Sequence, residues 1–169
     1  MIFSQEEFNS RITKVKDSMN KKGIEILLTT DPSNMNYLTG YDGWSFYVPQ
    51  GVIVSIDEEQ PYWFGRKQDS NGARITTHLN EENIFSYPEN LIQSPPLHPY
   101  DFVVQMFKDK KWSDKNIGVE MDSYYYTAEN HKRLIDNLTS AKFINAHLLI
   151  NWVRYIKSEN EIKYMKDAG

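Results

Sequence analysis

Side chains able to bind a metal, carry a proton or attack a carbonyl are present in this sequence, but their spacing does not bring them together. The four histidines are His78, His98, His131 and His147. No two of them stand at the i, i+4 spacing that places two imidazoles on one helical face. His98 lies between a Leu and a Pro in a loop, and His147 falls early in a helix. All four read as ordinary surface or hydrogen-bonded histidines. Glu58-Glu59 and Glu81-Glu82 sit in polar turns and read as solvated charge, and Asp167 lies in the last helical stretch. There is no Ser-His-Asp order around a nucleophile elbow and no phosphate-binding glycine loop. Cysteine is absent, which excludes disulfides and thiolate metal sites. The sequence predicts no catalytic residue, no metal site and no cofactor within this chain.

Aromatic residues do stand out. Tyr41-Asp42-Gly43-Trp44-Ser45-Phe46-Tyr47 sets four rings in seven positions, too many for an ordinary loop tip. They either cap a sheet edge or pack into an interface between subunits. Arg66, at the end of an apolar run, reads as an exposed strand-end arginine or one held in a structural ion pair.

These groups hang on a pattern of alternating helices and strands. Phe8, Ile12, Val15 and Met19 share one helical face, and Gly23 stops that helix. IEILLTT reads as a buried strand. Asp31 can cap the next helix, Pro32 suits its first position, and Gly40 closes it. The segment 41–50 is a loop or edge hairpin. GVIVSID and QPYWFG are two strands joined by a polar turn at Glu58-Glu59, hence antiparallel. Weak helical character spans 66–79, ENIFSYP is a strand, and PENLIQSPPLHP is a loop because of its prolines. A helix over 101–107, the strand NIGVEMD, a helix from Tyr124 to Leu138 and the strand AKFINA follow, with Asn145 capping a further helix. Ser158 and Glu161 form a capping box that opens a fresh helix, with Ile162 and Met165 on one face. The expected fold is α/β, a mixed β-sheet flanked by helices.

At 169 residues, 40% hydrophobic and 14% aromatic, the chain suits one compact domain with a real core. A net charge of −4, with both signs mixed along the chain, argues against a nucleic-acid partner. There is no signal-peptide pattern and no apolar run near the roughly 18 residues of a membrane span, so no membrane partner is expected and a cytoplasmic protein is the default.

Four stretches, in order, resemble the N-terminal domain of the creatinase, prolidase and aminopeptidase P family. They are DPSNMNYLTGY (31–41), the hairpin ending in FGRKQDSNGA (64–73) with Arg66 at a matching Arg, NIGVEMDSYYY (116–126) and VRYIKSENEIKYMKDA (153–168). The last matches the junction at which that domain hands over to a catalytic one. The wording of NMNYLTGYDGWSFY, QDSNGARITT and NIFSYPENLIQSPPLHP is similar to the ectoine hydrolase and creatinase-like subgroup.

The resemblance implies a ribonuclease-H-like domain over residues 1–156. It implies a junction over 157–169, at which a catalytic domain begins, the chain ending inside an unfinished helix. The parent would be a hydrolase of C–N bonds acting on an Xaa-Pro dipeptide or on a small cyclic or guanidino compound such as ectoine. Its pair of divalent metals (Mn, Co or Zn) would lie in the catalytic domain, although creatinase itself works without them. The N-terminal domain would promote homodimerisation. Its loop would reach the partner subunit's substrate, with Trp44, Phe46 and Tyr47 as the contributing residues. Phe46 falls on a Phe that does this in creatinase. Val48 stands where creatinase has an Arg, which makes creatine a poor substrate. The alternative is a catalytically dead, peptidase-like protein-binding module. Intact or replaced metal-ligand positions in the downstream sequence would separate the two.

Overall fold

The computed structural model describes residues 3–169, and Met1 and Ile2 lie outside the described residues. Helix α1 (Gln5–Lys21) opens where the Ser4 hydroxyl accepts from the Glu7 amide, and it buries Phe8, Arg11, Ile12, Val15 and Met19. Gly23, at φ +65°, turns the chain after it. Strand β1 (Ile26–Thr29) leads into α2 (Pro32–Thr39). Asp31 caps α2 by accepting from the Asn34 amide, and Gly40 ends it in the left-handed region at φ +82°. The chain continues through β2 (Gly51–Ser55), β3 (Tyr62–Arg66), α3 (Ser70–Thr76) and β4 (Ile84–Tyr87). It then forms α4 (Pro99–Asp109), β5 (Asn116–Val119), α5 (Ala128–Asn137), β6 (Lys142–Asn145), α6 (Leu149–Tyr155) and α7 (Glu159–Ala168).

The six strands form one mixed sheet in the order β4-β3-β2-β1-β5-β6. Only β2 is antiparallel to its neighbours, so the other five point the same way. Side chains alternate across the sheet. Leu27, Val52, Val54 and Trp63 pack with residues of α1, α2 and α6, while Ile26, Leu28, Ile53, Phe64, Ile117 and Val119 pack with residues of α4 and α5. Because both faces are covered, the central strands read as unbroken apolar runs rather than as alternation.

Three boundaries differ from the sequence expectation. Helix α4 begins at Pro99, because His98 Nδ1 accepts from the Tyr100 amide and Asp101 accepts from the His98 amide. Helix α5 begins at Ala128 rather than Tyr124: Thr127 takes the Asn130 amide as a cap, and Tyr124–Tyr126 lie in turns after β5. Asn145 does not cap α6. Its side chain accepts from the His147 amide in a local turn, and α6 starts after Leu148 at φ +62°. The Ser158–Glu161 capping box is present, with each side chain bonded to the other residue's amide. Among the described residues no helix is long and apolar enough to cross a membrane.

Candidate functional site

The carboxyl ends of five strands meet at one end of the sheet, the end where open α/β sheets hold ligands. The segment joining α2 to β2 runs across this end, and its two feet are fixed. Tyr41 is buried with its ring 5.3 Å from that of Trp63, and its carbonyl accepts from Asn36 Nδ2. Gln50 Nε2 donates to the Tyr41 hydroxyl at 3.1 Å and to Asp69 at 2.8 Å. Burial, aided by Asp69, pushes the Tyr41 hydroxyl up to about 12. Val48 is buried in the core, its amide donating to Ser45 Oγ, and the Tyr87 hydroxyl donates to the Pro49 carbonyl at 2.6 Å.

Between these feet Trp44, Phe46 and Tyr47 point outward, 61%, 66% and 60% exposed. Trp44 and Phe46 meet edge to face, and Phe46 lies 6.4 Å from the ring of Tyr124, itself 72% exposed. Tyr124 thus joins the aromatic group from the turn after β5. Read as the start of a helix, it gave no sign of this in the sequence. Phe46, Tyr47 and Tyr124 border a cleft of about 100 Å³ that Thr30, Gln50 and Asn130 also line. Drug-sized ligand pockets run from about 300 Å³ upward, so this cleft is smaller than one of them.

Beneath the aromatic group lies a buried polar hub. Glu120, 3% exposed, follows β5. It accepts from the amides of Thr30 (2.9 Å) and Asp31 (3.2 Å) at the start of α2 and from Asn34 Nδ2 (2.6 Å). Asn34 is thereby oriented: its amide nitrogen also donates to Asn151 Oδ1, while its oxygen accepts from Arg154 Nη1 at 2.8 Å. Strand β5, α2 and α6 are tied together at this one asparagine. The carboxylate ending an apolar strand in GVE was the available sequence signal, but its partners are 86 to 90 residues away.

The remaining sequence candidates are scattered. His78 stacks on Phe8 and bonds Gln5 and the Leu38 carbonyl, and burial lowers its pKa. His98 caps α4, His131 meets the Tyr126 hydroxyl, and His147 stands 3.7 Å from Asp122. Arg66 Nε donates to both carboxylate oxygens of Glu89, an ion pair, the second of the two readings open for it. Among the described residues no three His, Asp or Glu side chains converge as a metal would need.

Residues 11–156 match the creatinase/prolidase N-terminal domain. The chain belongs to that family. Ectoine hydrolase of Halomonas elongata is 45% identical over 168 residues, covering 99% of this chain and 42% of that protein. An uncharacterized hydrolase/peptidase of Sinorhizobium fredii is 46% identical over 167 residues, covering 99% of this chain and 43% of its own length. The chain thus spans about two fifths of the curated relatives it matches. In fold it is similar to the Xaa-Pro dipeptidase from Bacillus anthracis, with TM-score 0.70 and 18% identity over 94% of this chain and 39% of that one. It is also similar to the N-terminal domain of the peptidase PepQ from Mycobacterium tuberculosis, with TM-score 0.64 and 17% identity over 86% of this chain and 99% of that one. As a creatinase/prolidase N-terminal domain, the chain has the mixed α/β sheet flanked by helices that the strand and helix pattern predicted, with six strands.

Proposed function

We propose that this chain is the non-catalytic N-terminal domain of a homodimeric hydrolase of C–N bonds, and that its 41–50 loop closes the substrate pocket of the partner subunit. One observation carries the proposal: Trp44, Phe46 and Tyr47 are held out to solvent by a segment whose two ends are buried and hydrogen-bonded. Rings exposed to this degree suit a surface that is covered in an assembly. The 100 Å³ cleft that Phe46 and Tyr47 line suits one wall of a pocket rather than a whole one. On this reading α7 begins the catalytic domain, which holds any divalent metals, and the protein works in the cytoplasm. The likeness to ectoine hydrolase favours a small cyclic substrate over a dipeptide.

The test is Phe46→Ala in the two-domain protein. Loss of a pocket-closing ring should lower kcat/KM by roughly tenfold, about 1.4 kcal/mol of transition-state stabilisation. Unchanged KM and kcat would refute the role. The 169-residue chain alone, supplied with divalent metal, should hydrolyse neither amides nor dipeptides, and metal-dependent turnover would overturn the non-catalytic assignment.

A further inference from the structure

Arg11 is the one charged residue on the buried stripe of α1, and it is 3% exposed. A leucine there would complete the apolar face. A buried guanidinium instead carries a desolvation cost that even a good ion pair rarely returns as net stability. The surroundings of Arg11 indicate what that cost secures. Its guanidinium carbon lies 4.0 Å from the ring centre of Phe3, 4.8 Å from Tyr37 and 5.3 Å from Phe8. Its Nη1 donates to the Tyr37 carbonyl and its Nη2 to Glu161 Oε1 at 3.1 Å. Nε stands 3.5 Å from Glu7, an ion-pair distance without hydrogen-bond geometry.

Glu161 belongs to α7, and its other oxygen caps that helix at the Ser158 amide. No residue of α7 is buried, so its direction rests on a few partly exposed contacts. Contacts along one side of the helix tie it to the body: Glu161 to Arg11, Asn160 to Glu7, and Tyr164 edge-on to Phe3. On the preceding helix, Arg154 lies 5.9 Å from the same Tyr37 ring while holding Asn34. Two guanidiniums from opposite ends of the sequence thus share one tyrosine, one serving α6 and the other α7.

We propose that Arg11 is a positioning residue: with Arg154 on the shared Tyr37 platform, it locks the bend between α6 and α7 and fixes the direction in which α7 leaves the domain. The inference concerns this chain's own geometry and holds independently of the partner-pocket role.

The chain has no cysteine, so a nitroxide pair at Lys14→Cys and Lys166→Cys reports the α1–α7 distance cleanly by pulsed electron resonance. The parent should give one narrow distance peak. Arg11→Met keeps an apolar stem among the three rings but removes the charge, and it should broaden the peak into several. Glu161→Ala breaks the same pair from the partly exposed side, so the proposal stays testable if Arg11→Met fails to fold. Ser158→Ala weakens the helix cap but leaves the ion pair, and it should keep the parent's peak position. A parent peak that is already broad would overturn the proposal. So would a parent-like peak in Glu161→Ala, or a Ser158→Ala peak as broad as that of Glu161→Ala.

Discussion

Replacing Glu120 by Ala isolates the hub beneath the aromatic loop. The carboxylate accepts three hydrogen bonds, at 2.9 Å from Thr30, 3.2 Å from Asp31 and 2.6 Å from Asn34. Hydrogen bonds to a charged group contribute about 1.5–3 kcal/mol each, so a simple sum reaches about 4.5–9 kcal/mol. Two facts reduce it. A cleft of about 120 Å³ borders Glu120, Asp31 and Asn34, so water can reach part of what is released. The alanine also removes the cost of burying the charge itself. The Thr30 amide, on a residue only 2% exposed, keeps most of its penalty. We expect a loss of about 3–4 kcal/mol in urea unfolding followed by circular dichroism, and a fall in Tm of about 10 °C, taking about 2–4 °C per kcal/mol at this size. Glu120→Gln retains one acceptor but turns an NH2 toward donors, and it should lose about 2 kcal/mol. A loss below about 1 kcal/mol for Glu120→Ala would show that the three contacts do not hold α2 to β5.

Stability should fall as the pH drops below about 6.5. Burial lowers the pKa of both His78 and His98, so between their folded and unfolded values the unfolded chain binds more protons. This contribution is complete above the unfolded value of 6.5 and is lost on acidification toward the folded values, with a slope of at most about 1.4 kcal/mol per pH unit for each histidine. His78→Gln should flatten the profile, and an equally steep one would remove His78 from the account. Gly40→Ala should cost about 1–2 kcal/mol by chemical unfolding, because φ is +82° and an added Cβ would meet Phe8 and the Thr76 carbonyl at 3.1 Å. A neutral result would mean that α2 ends differently in solution. Phe46→Ala, by contrast, should leave stability within about 0.5 kcal/mol of the parent, since an exposed ring loses little packing. A larger loss would make the loop structural rather than functional.

What the sequence made legible was local. The stripe Phe8–Ile12–Val15–Met19, the Asp31-Pro32 start of α2, its Gly40 stop and the Ser158–Glu161 box each specify their geometry within four residues, and each is present. The errors arose where two local signals competed. In Tyr124–Leu138 the helical pattern extended over three tyrosines, but the Thr127 hydroxyl takes a helix-terminal amide and places Tyr124 outside the helix. At Asn145 a plausible cap satisfies the nearer His147 amide instead. The hub escaped notice because Asn34, Glu120, Asn151 and Arg154 meet only after the sheet has assembled. Arg11 escaped for a different reason: at helical spacing a charged residue inside an apolar stripe reads as a boundary of that stripe, and nothing local announces Glu161, 150 residues later.

The position of Val48 bears on the proposed docking role of the aromatic loop. A segment carrying three large exposed rings would ordinarily collapse onto the sheet or fluctuate, and either would weaken binding by the entropy of ordering it. Here the chain alternates at its end: Tyr47 goes out, Val48 goes into the core, and Gln50 is fixed between Tyr41 and Asp69. Buried anchors at 41, 48 and 50 thus flank the exposed rings at 44, 46 and 47. Tyr124 meets Phe46 from a turn in which the Ser123 amide donates to the Glu120 backbone carbonyl. A surface prepared in this way presents its apolar area, about 150–250 Å² per aromatic side chain when fully buried, without first having to be ordered. That arrangement is what the proposed docking role would require of the loop. Because the bond from Ser123 is to the Glu120 backbone, Glu120→Ala should leave Tyr124 and Phe46 in place, and Phe46→Ala should leave the hub intact.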